Sequence, residues 1–402
     1  MEVFVLKITD LYCIRYEGSK EKKGEYYEER LVRPVDIYEE FRSADWSEQT
    51  NLPVEREDSL LIRGIFLYIE TDIGIKGIFG PLDKSPALIV LSMKELLIGQ
   101  NPLATQKLWD LMYRSAVHGR KGISMMAISA IDCALWDLKG KYFDQPVYRL
   151  LGGPVREKLP VYASMLGFSL EPELVKKRVK DYRVLGFAGQ KWFFRHGPAS
   201  GQKGFENNLE LVQTAREAAG DNYNLIFDAW MGWDVSYTLR MIKSIEKYQP
   251  LWLEEPLMAD KLDRLKEITA NSSIDIAGGE HEYTRWGFQE IMKKGALNII
   301  QPDTMWAGGI TEMMNICSLA SVYDIPLIPH GESFAANIHL TAAQSPALVP
   351  LVEYLVKWNE GWQYFLKDPI TVKDGFVKLD HRPGLGLVID DEKVENEVRL
   401  KY

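Results

Sequence analysis

Three acidic residues recur at one fixed interval. Asp228 in FDAW, Glu254 in LEEP and Glu280 in GGEH stand 26 residues apart, and each step is the length of one helix plus one strand. Acids spaced in this way land at equal heights on adjacent parallel strands. Converging carboxylates repel one another, and a hard divalent cation relieves the repulsion. Three carboxylates, with water or substrate completing the coordination, describe Mg2+ better than zinc, which favours His or Cys. A single such acid would read as a solvated strand-end salt bridge, and it is the repeated interval that argues for a metal site. Glu255 adjoins Glu254 and points elsewhere by strand alternation, so it is expected behind the ligands.

A scaffold that holds three strand ends together is legible around them. After Leu159, short apolar runs recur at 161–164, 190–194, 224–228, 251–255, 275–280, 298–303, 325–330 and 351–356, with amphipathic helical segments between most of them. Eight strands alternating with helices is the count of a closed parallel (β/α)8 barrel of the α/β class. The runs end in Lys191 or Arg195, Asp228, Glu254, Glu280, Asp303, His330 and Glu353, at the strand ends where this fold does its chemistry. The first third differs. Leu60–Ile69 and Gly74–Phe79 flank TDIG as an antiparallel hairpin, and Val3–Tyr16 offers a third strand. From Asn101 to Tyr142 the period turns helical, with Met126, Ile128, Ile131, Leu135 and Leu138 on one face before Gly152-Gly153. The expected organisation is an α+β capping segment over residues 1–125, a barrel over 126–370, and a tail over 371–402 that returns to the cap.

Bulk properties narrow the partners. The 402 residues are 46% hydrophobic and 26% charged, enough for a large core. A formal charge of −9 without a Lys/Arg stripe argues against nucleic acid and anionic membranes and leaves a small diffusible ligand. Cys13, Cys133 and Cys317 are too few and too scattered for a disulfide framework or a metal knuckle, which fits a reduced cytoplasm. No apolar run approaches the roughly 18 residues of a membrane helix.

The string SAIDCALWDLKGKYFDQPVYRLLGG (Ser129 to Gly153), the three acids at their intervals, QPD ending at Asp303 and PHG with His330 together form a specific pattern. Over essentially its whole length the chain resembles the enolase superfamily and, within it, the mandelate racemase branch. The resemblance implies a cap built from the N-terminal segment and the tail, over a modified barrel in which Mg2+ holds a substrate carboxylate. A proton α to a carboxylate is very weakly acidic, because its removal adds charge to an anion; a cation in a water-poor cavity offsets that charge. A base must then stand over the α-carbon. Asp303 and His330 end successive strands 27 residues apart. The Asp can fix the imidazole tautomer and stabilise the imidazolium while the other ring nitrogen faces the substrate.

On the second barrel strand the chain departs from the branch pattern Lys-x-Lys. It reads Lys191-Trp192-Phe193, so Lys191 keeps an electrophilic role, or else a strand-end ion pair with a metal ligand, while Phe193 cannot accept a proton. Arg195 shares strand parity with Lys191 and is expected to bind an anion, guanidinium being a poor base. One dyad on one face points to elimination: His330 takes the α-proton and returns it to a departing β-hydroxyl, converting a sugar acid to a 2-keto-3-deoxy acid. DAWMGWDVSY with Trp230, GEHEYT with His281, DTMWAGG with Trp306 and RHGPASG after Phe194 look most like the L-rhamnonate dehydratase group of the branch. That likeness places Trp230, His281 and Trp306 near the substrate, although tryptophan is more often packing. Glu353 is expected to hydrogen-bond the substrate carboxylate when protonated, with Glu332 as its rival. The loop 24–45 shows no His-containing motif of that group, which leaves the sugar open. A one-base epimerase or cycloisomerase, and a non-catalytic carboxylate-binding paralogue, remain as alternatives. The resemblance implies a homo-oligomer, a dimer or an octamer.

Overall fold

Long β-branched and aromatic runs build the cap. In the computed structural model, which describes residues 6–42 and 52–402, the strand Ile8–Glu21 pairs antiparallel with Ser59–Thr71, which pairs in turn with Lys76–Leu82. This is the expected three-stranded unit; of the run beginning at Val3, residues 3–5 lie outside the described residues, as do 43–45 of the loop 24–45. The helix Ile123–Tyr142 is buried on almost every side because it lies between this sheet and the barrel helix Gly309–Tyr323. Its two buried aspartates act as fasteners. Asp132 accepts from Thr311 N at 2.8 Å and Thr311 Oγ1 at 2.5 Å in the barrel. Asp137 accepts from Ile78 N in the cap sheet and Leu385 N in the tail, both at 2.8 Å. Gly309 lets the barrel helix come this close: it sits at φ +77°, and a Cβ there would meet the Asp132 carboxylate at 2.5 Å.

The barrel follows the sequence pattern with one correction. Seven strands, Lys158–Ser164, Gly189–Phe193, Asn224–Asp228, Trp252–Glu254, Asp275–Gly278, Ile299–Ile300 and Val352–Leu355, form a parallel sheet in which the last pairs with the first. The eighth expected strand, 325–330, makes only an isolated bridge between Leu327 and Ile300. Pro326 and Pro329 interrupt that run and supply no N–H for a ladder. Glu353 spans part of the gap with its side chain, accepting from Gly331 N at 3.0 Å. Register sets the site: Asp228 is paired with Glu254, and Phe193 with Asp228.

The expected break at 126 falls inside a helix, and the tail returns to the cap as expected while also pairing with the barrel. The helix Ile123–Tyr142 crosses position 126, and its buried side chains join the cap core, whereas barrel packing begins around Tyr148 and Leu159. The tail serves both parts: Phe376–Lys378 pairs with Lys158–Pro160 of the barrel, Leu385 and Leu387 enter the cap core, and Asn396–Arg399 pairs with Ile14–Glu17. The three cysteines are buried and free, and among the described residues no helix is long and apolar enough to cross a membrane.

Candidate active site

A cavity of about 240 Å3 opens between the barrel strand ends and the cap. Asp228, Glu280, Lys191 and His330 line it, with Trp230, Trp306 and Glu332 beside them. Glu254, Asp303 and Glu353 are fully buried just outside that lining.

Lys191 is the hub of one half. Its Nζ lies 2.5 Å from Glu254 Oε1, 2.8 Å from Glu353 Oε1 and 3.2 Å from Asp228 Oδ2. Burial disfavours its ammonium, but the three carboxylates outweigh burial and hold its pKa well above the usual lysine value. The same contact acts on Glu353: burial raises its carboxyl, Lys191 more than compensates, and the group stays below the ordinary carboxylate range. A protonated Glu353, as expected from the sequence, is therefore not what this arrangement favours. The second oxygen of Glu254 accepts from Trp252 Nε1 at 3.0 Å and Gln301 Nε2 at 2.8 Å, and Asp228 Oδ1 accepts from Trp230 N at 2.8 Å.

Histidines organise the other half. His330 Nδ1 is 2.9 Å from Asp303 Oδ2, so the predicted dyad is formed. Asp303 is fixed by Met305 N, Glu332 N and Ser333 Oγ, and the Trp306 ring lies against the imidazole at 4.9 Å between centroids. The remaining nitrogen, His330 Nε2, stands 3.3 Å from Glu280 Oε2. Burial opposes the imidazolium, but Glu280 and Asp303 prevail and hold the His330 pKa well above its usual value. Burial, partly offset by His330, pushes Glu280 up to about 7. Glu255 lies behind His281, as alternation predicts, with its Oε2 2.8 Å from Nδ1. Burial lowers His281, but Glu255 raises it to about 9.

The ligand atoms within 4.8 Å of one another among the described residues are those of Glu255, Glu280 and His281, not all three predicted acids. Lys191 draws Asp228 and Glu254 to one side while the imidazoles draw Glu280 to the other. The donor set nevertheless suits a hard divalent ion. Asp228 is driven well above the usual carboxyl range by burial and then by Glu254, with Glu280 and Glu255 adding to the effect. That is the signature of buried oxygens short of positive charge.

Arg195 does not line the cavity. Its Nε bonds Glu29 Oε1 at 3.0 Å and its Nη2 the Arg42 carbonyl at 2.9 Å, so the anion it meets is a carboxylate of the cap loop, not one in the cavity. His281 also stands outside the lining, in edge contact with Trp230. Sequence reasoning passed over the apolar wall of Leu31, Leu166, Leu355, Trp358 and Trp362, and over Asp83. The four-residue step between the two tryptophans was the available signal, since it puts both on one helix face.

Comparison with known proteins agrees with this architecture. Residues 62–152 match the domain described as mandelate racemase / muconate lactonizing enzyme, N-terminal domain, and residues 174–394 match the enolase C-terminal domain-like family. L-rhamnonate dehydratase of Saccharopolyspora erythraea is 31% identical, over 99% of this chain and 99% of that protein. Arabinonate dehydratase of Saccharolobus solfataricus is 34% identical, over 84% of this chain and 93% of its own length. Among solved structures, rhamnonate dehydratase from Gibberella zeae complexed with Mg superposes with a TM-score of 0.83 at 28% identity, covering 98% of this chain and 96% of that one. With both domains matched and relatives similar over nearly its full length, the chain belongs to the mandelate racemase/muconate lactonizing enzyme family of the enolase superfamily.

Proposed function

We propose that this protein is a Mg2+-dependent sugar-acid dehydratase acting on an L-rhamnonate-like aldonate. The observation that carries it is the His330–Asp303 pair at the cavity, whose lining also holds Phe193, a side chain that cannot serve as a second base. Asp228, Glu254 and Glu280 would hold the ion, and what Mg2+ supplies there is electrostatic offset of the charge that gathers on the substrate carboxylate as the α-proton leaves.

The chain's own groups account for the remaining steps. Lys191 presents a buried ammonium to the carboxylate end, kept charged by Glu353 and Glu254. With Nδ1 committed to Asp303, His330 takes the α-proton on Nε2, with the Trp306 ring packed beside it. The C–H electron pair becomes the α,β double bond, the β C–O bond breaks, and the imidazolium returns its proton to the departing oxygen as water. The resulting enol ketonises to a 2-keto-3-deoxy acid. A homo-oligomer is part of this proposal and is read by light scattering.

The test is a library of hexonates, 6-deoxyhexonates and pentonates, assayed with semicarbazide for 2-keto products. Product that depends on both Mg2+ and His330 is expected. Exchange of the α-proton in D2O without product would indicate an epimerase or cycloisomerase instead, and neither exchange nor product would overturn the proposal.

A further inference from the structure

Two buried donors that the reaction above does not use converge on one oxygen of Glu254. Trp252 and Glu254 are two residues apart on the strand Trp252–Glu254, so alternation puts both side chains on the same face. The indole packs edge-on against Tyr162, with 5.7 Å between ring centroids and 85° between planes, and gives its Nε1–H to Glu254 Oε2 at 3.0 Å. Gln301 follows the strand Ile299–Ile300, and its main-chain N–H extends the ladder to the Gly278 carbonyl at 2.8 Å. From that fixed point its side-chain Nε2 donates to the same Oε2 at 2.8 Å. The amide cannot turn over, because its oxygen would then face the carboxylate. Trp252, Glu254 and Gln301 are 0–1% exposed, so bulk water does not compete for these bonds.

Each carboxylate oxygen offers about two lone pairs. On Glu254 both sites of Oε2 are taken, whereas Oε1 meets Lys191 Nζ alone among the described residues, at 2.5 Å. One oxygen is therefore left to share with a cation. Mg2+ demands near-ideal octahedral geometry, which the two close-set oxygens of one carboxylate do not span; Ca2+ is larger and takes carboxylates through one oxygen or both. We infer that Trp252 and Gln301 are positioning residues that hold Glu254 to one-oxygen coordination and so set a preference for Mg2+ over Ca2+, an inference that rests on the reading of Glu254 as a ligand of the ion.

Isothermal titration calorimetry of the metal-free full chain, with Mg2+ and Ca2+ added separately, reads the preference without turnover. Gln301→Leu should weaken Mg2+ about tenfold and leave Ca2+ within about twofold, because the released oxygen lets Ca2+ take both. Trp252→Phe keeps a ring against Tyr162 and removes the N–H, and it should shift the ratio of the two affinities in the same direction. It also decides the matter if the leucine variant fails to fold. A merely structural lesion would weaken both ions alike, so equal weakening, or an unchanged ratio in the folded variants, overturns the inference. Glu254→Gln separates it from the ligand assignment. If that variant binds Mg2+ as the parent does, the assignment fails and the positioning role with it. If it loses Mg2+ while Trp252→Phe keeps the parent ratio, the positioning role alone fails.

Discussion

Replacing Lys191 with Met tests the electrostatic core of the site directly. The side chain is 1% exposed, and its ammonium is shared by Asp228, Glu254 and Glu353, which are themselves 0–2% exposed. Methionine fills similar volume without charge, so the loss is electrostatic and not steric. Removing one partner of a buried ion pair costs roughly 3–5 kcal/mol, because the other charge is left uncompensated. Asp228 already binds a proton more readily than a free aspartate, which brings the expected cost toward the lower end. A decrease of about 3 kcal/mol corresponds to a fall in thermal midpoint of roughly 4–6 °C for a protein of this size. Divalent ions give the experiment its sign. Without the ammonium, Asp228 and Glu254 repel more strongly, so Mg2+ should stabilise Lys191→Met more than the parent; a tenfold tighter site adds about 1.4 kcal/mol at saturation. Scanning calorimetry in EDTA and again in Mg2+ reads both quantities. Adding Glu353→Gln to Lys191→Met should restore part of the loss, since it removes the acid that the ion does not reach. If Lys191→Met melts with the parent in EDTA, or if Mg2+ shifts both proteins equally, the charge-compensation reasoning is wrong.

His330→Asn should eliminate both dehydration and α-proton exchange in D2O, a loss of about 100-fold or more in kcat, with Mg2+ binding retained by calorimetry. Chelation should abolish turnover reversibly, with Mg2+ restoring it and Zn2+ failing to, as read by the semicarbazide assay. His339 provides a pH test away from the cavity: burial pushes its pKa down to about 4, and its Nδ1 accepts from Tyr148 N at 3.1 Å. The unfolded chain therefore takes the proton first, and stability should fall as pH drops from 6.5 toward 4 by about 3 kcal/mol in total. Urea titrations of His339→Gln should lack that part of the slope. Gly309→Ala forces a Cβ against Asp132 at φ +77° and should lower stability by about 1–3 kcal/mol in the same titrations, with the midpoint following.

The chemistry of the strand ends was legible because period and residue type reinforce one another. Asp228, Glu254 and Glu280 repeat with the βα unit, and the Asp303/His330 step differs from that repeat by one residue. Lys191 stands where its spacing placed it, paired with two predicted ligands and lining the cavity. Where tertiary pairing decides, the sequence was a weaker guide. The run 325–330 has the composition of a strand, yet its two prolines leave it one bridge. Arg195 has the right parity for the cavity, but a partner 166 residues away, Glu29, takes its guanidinium. Asp83 looks like any helix cap in sequence, and only the placement of the cap domain brings it to the cavity. The expected break at 126 misjudged a helix whose apolar surface faces both halves, for which periodicity assigns no owner.

The cap sheet sets side by side two strands far apart in sequence, Ile14–Glu17 alongside Asn396–Arg399. The second of these is made long after the first, so until it arrives the first strand carries an unpaired edge that another nascent chain could zip onto. Completion of the cap sheet thus waits for a segment that follows the whole barrel in sequence. Deleting residues 396–402 would leave the barrel's hydrogen-bond ladder intact while reopening that adhesive edge.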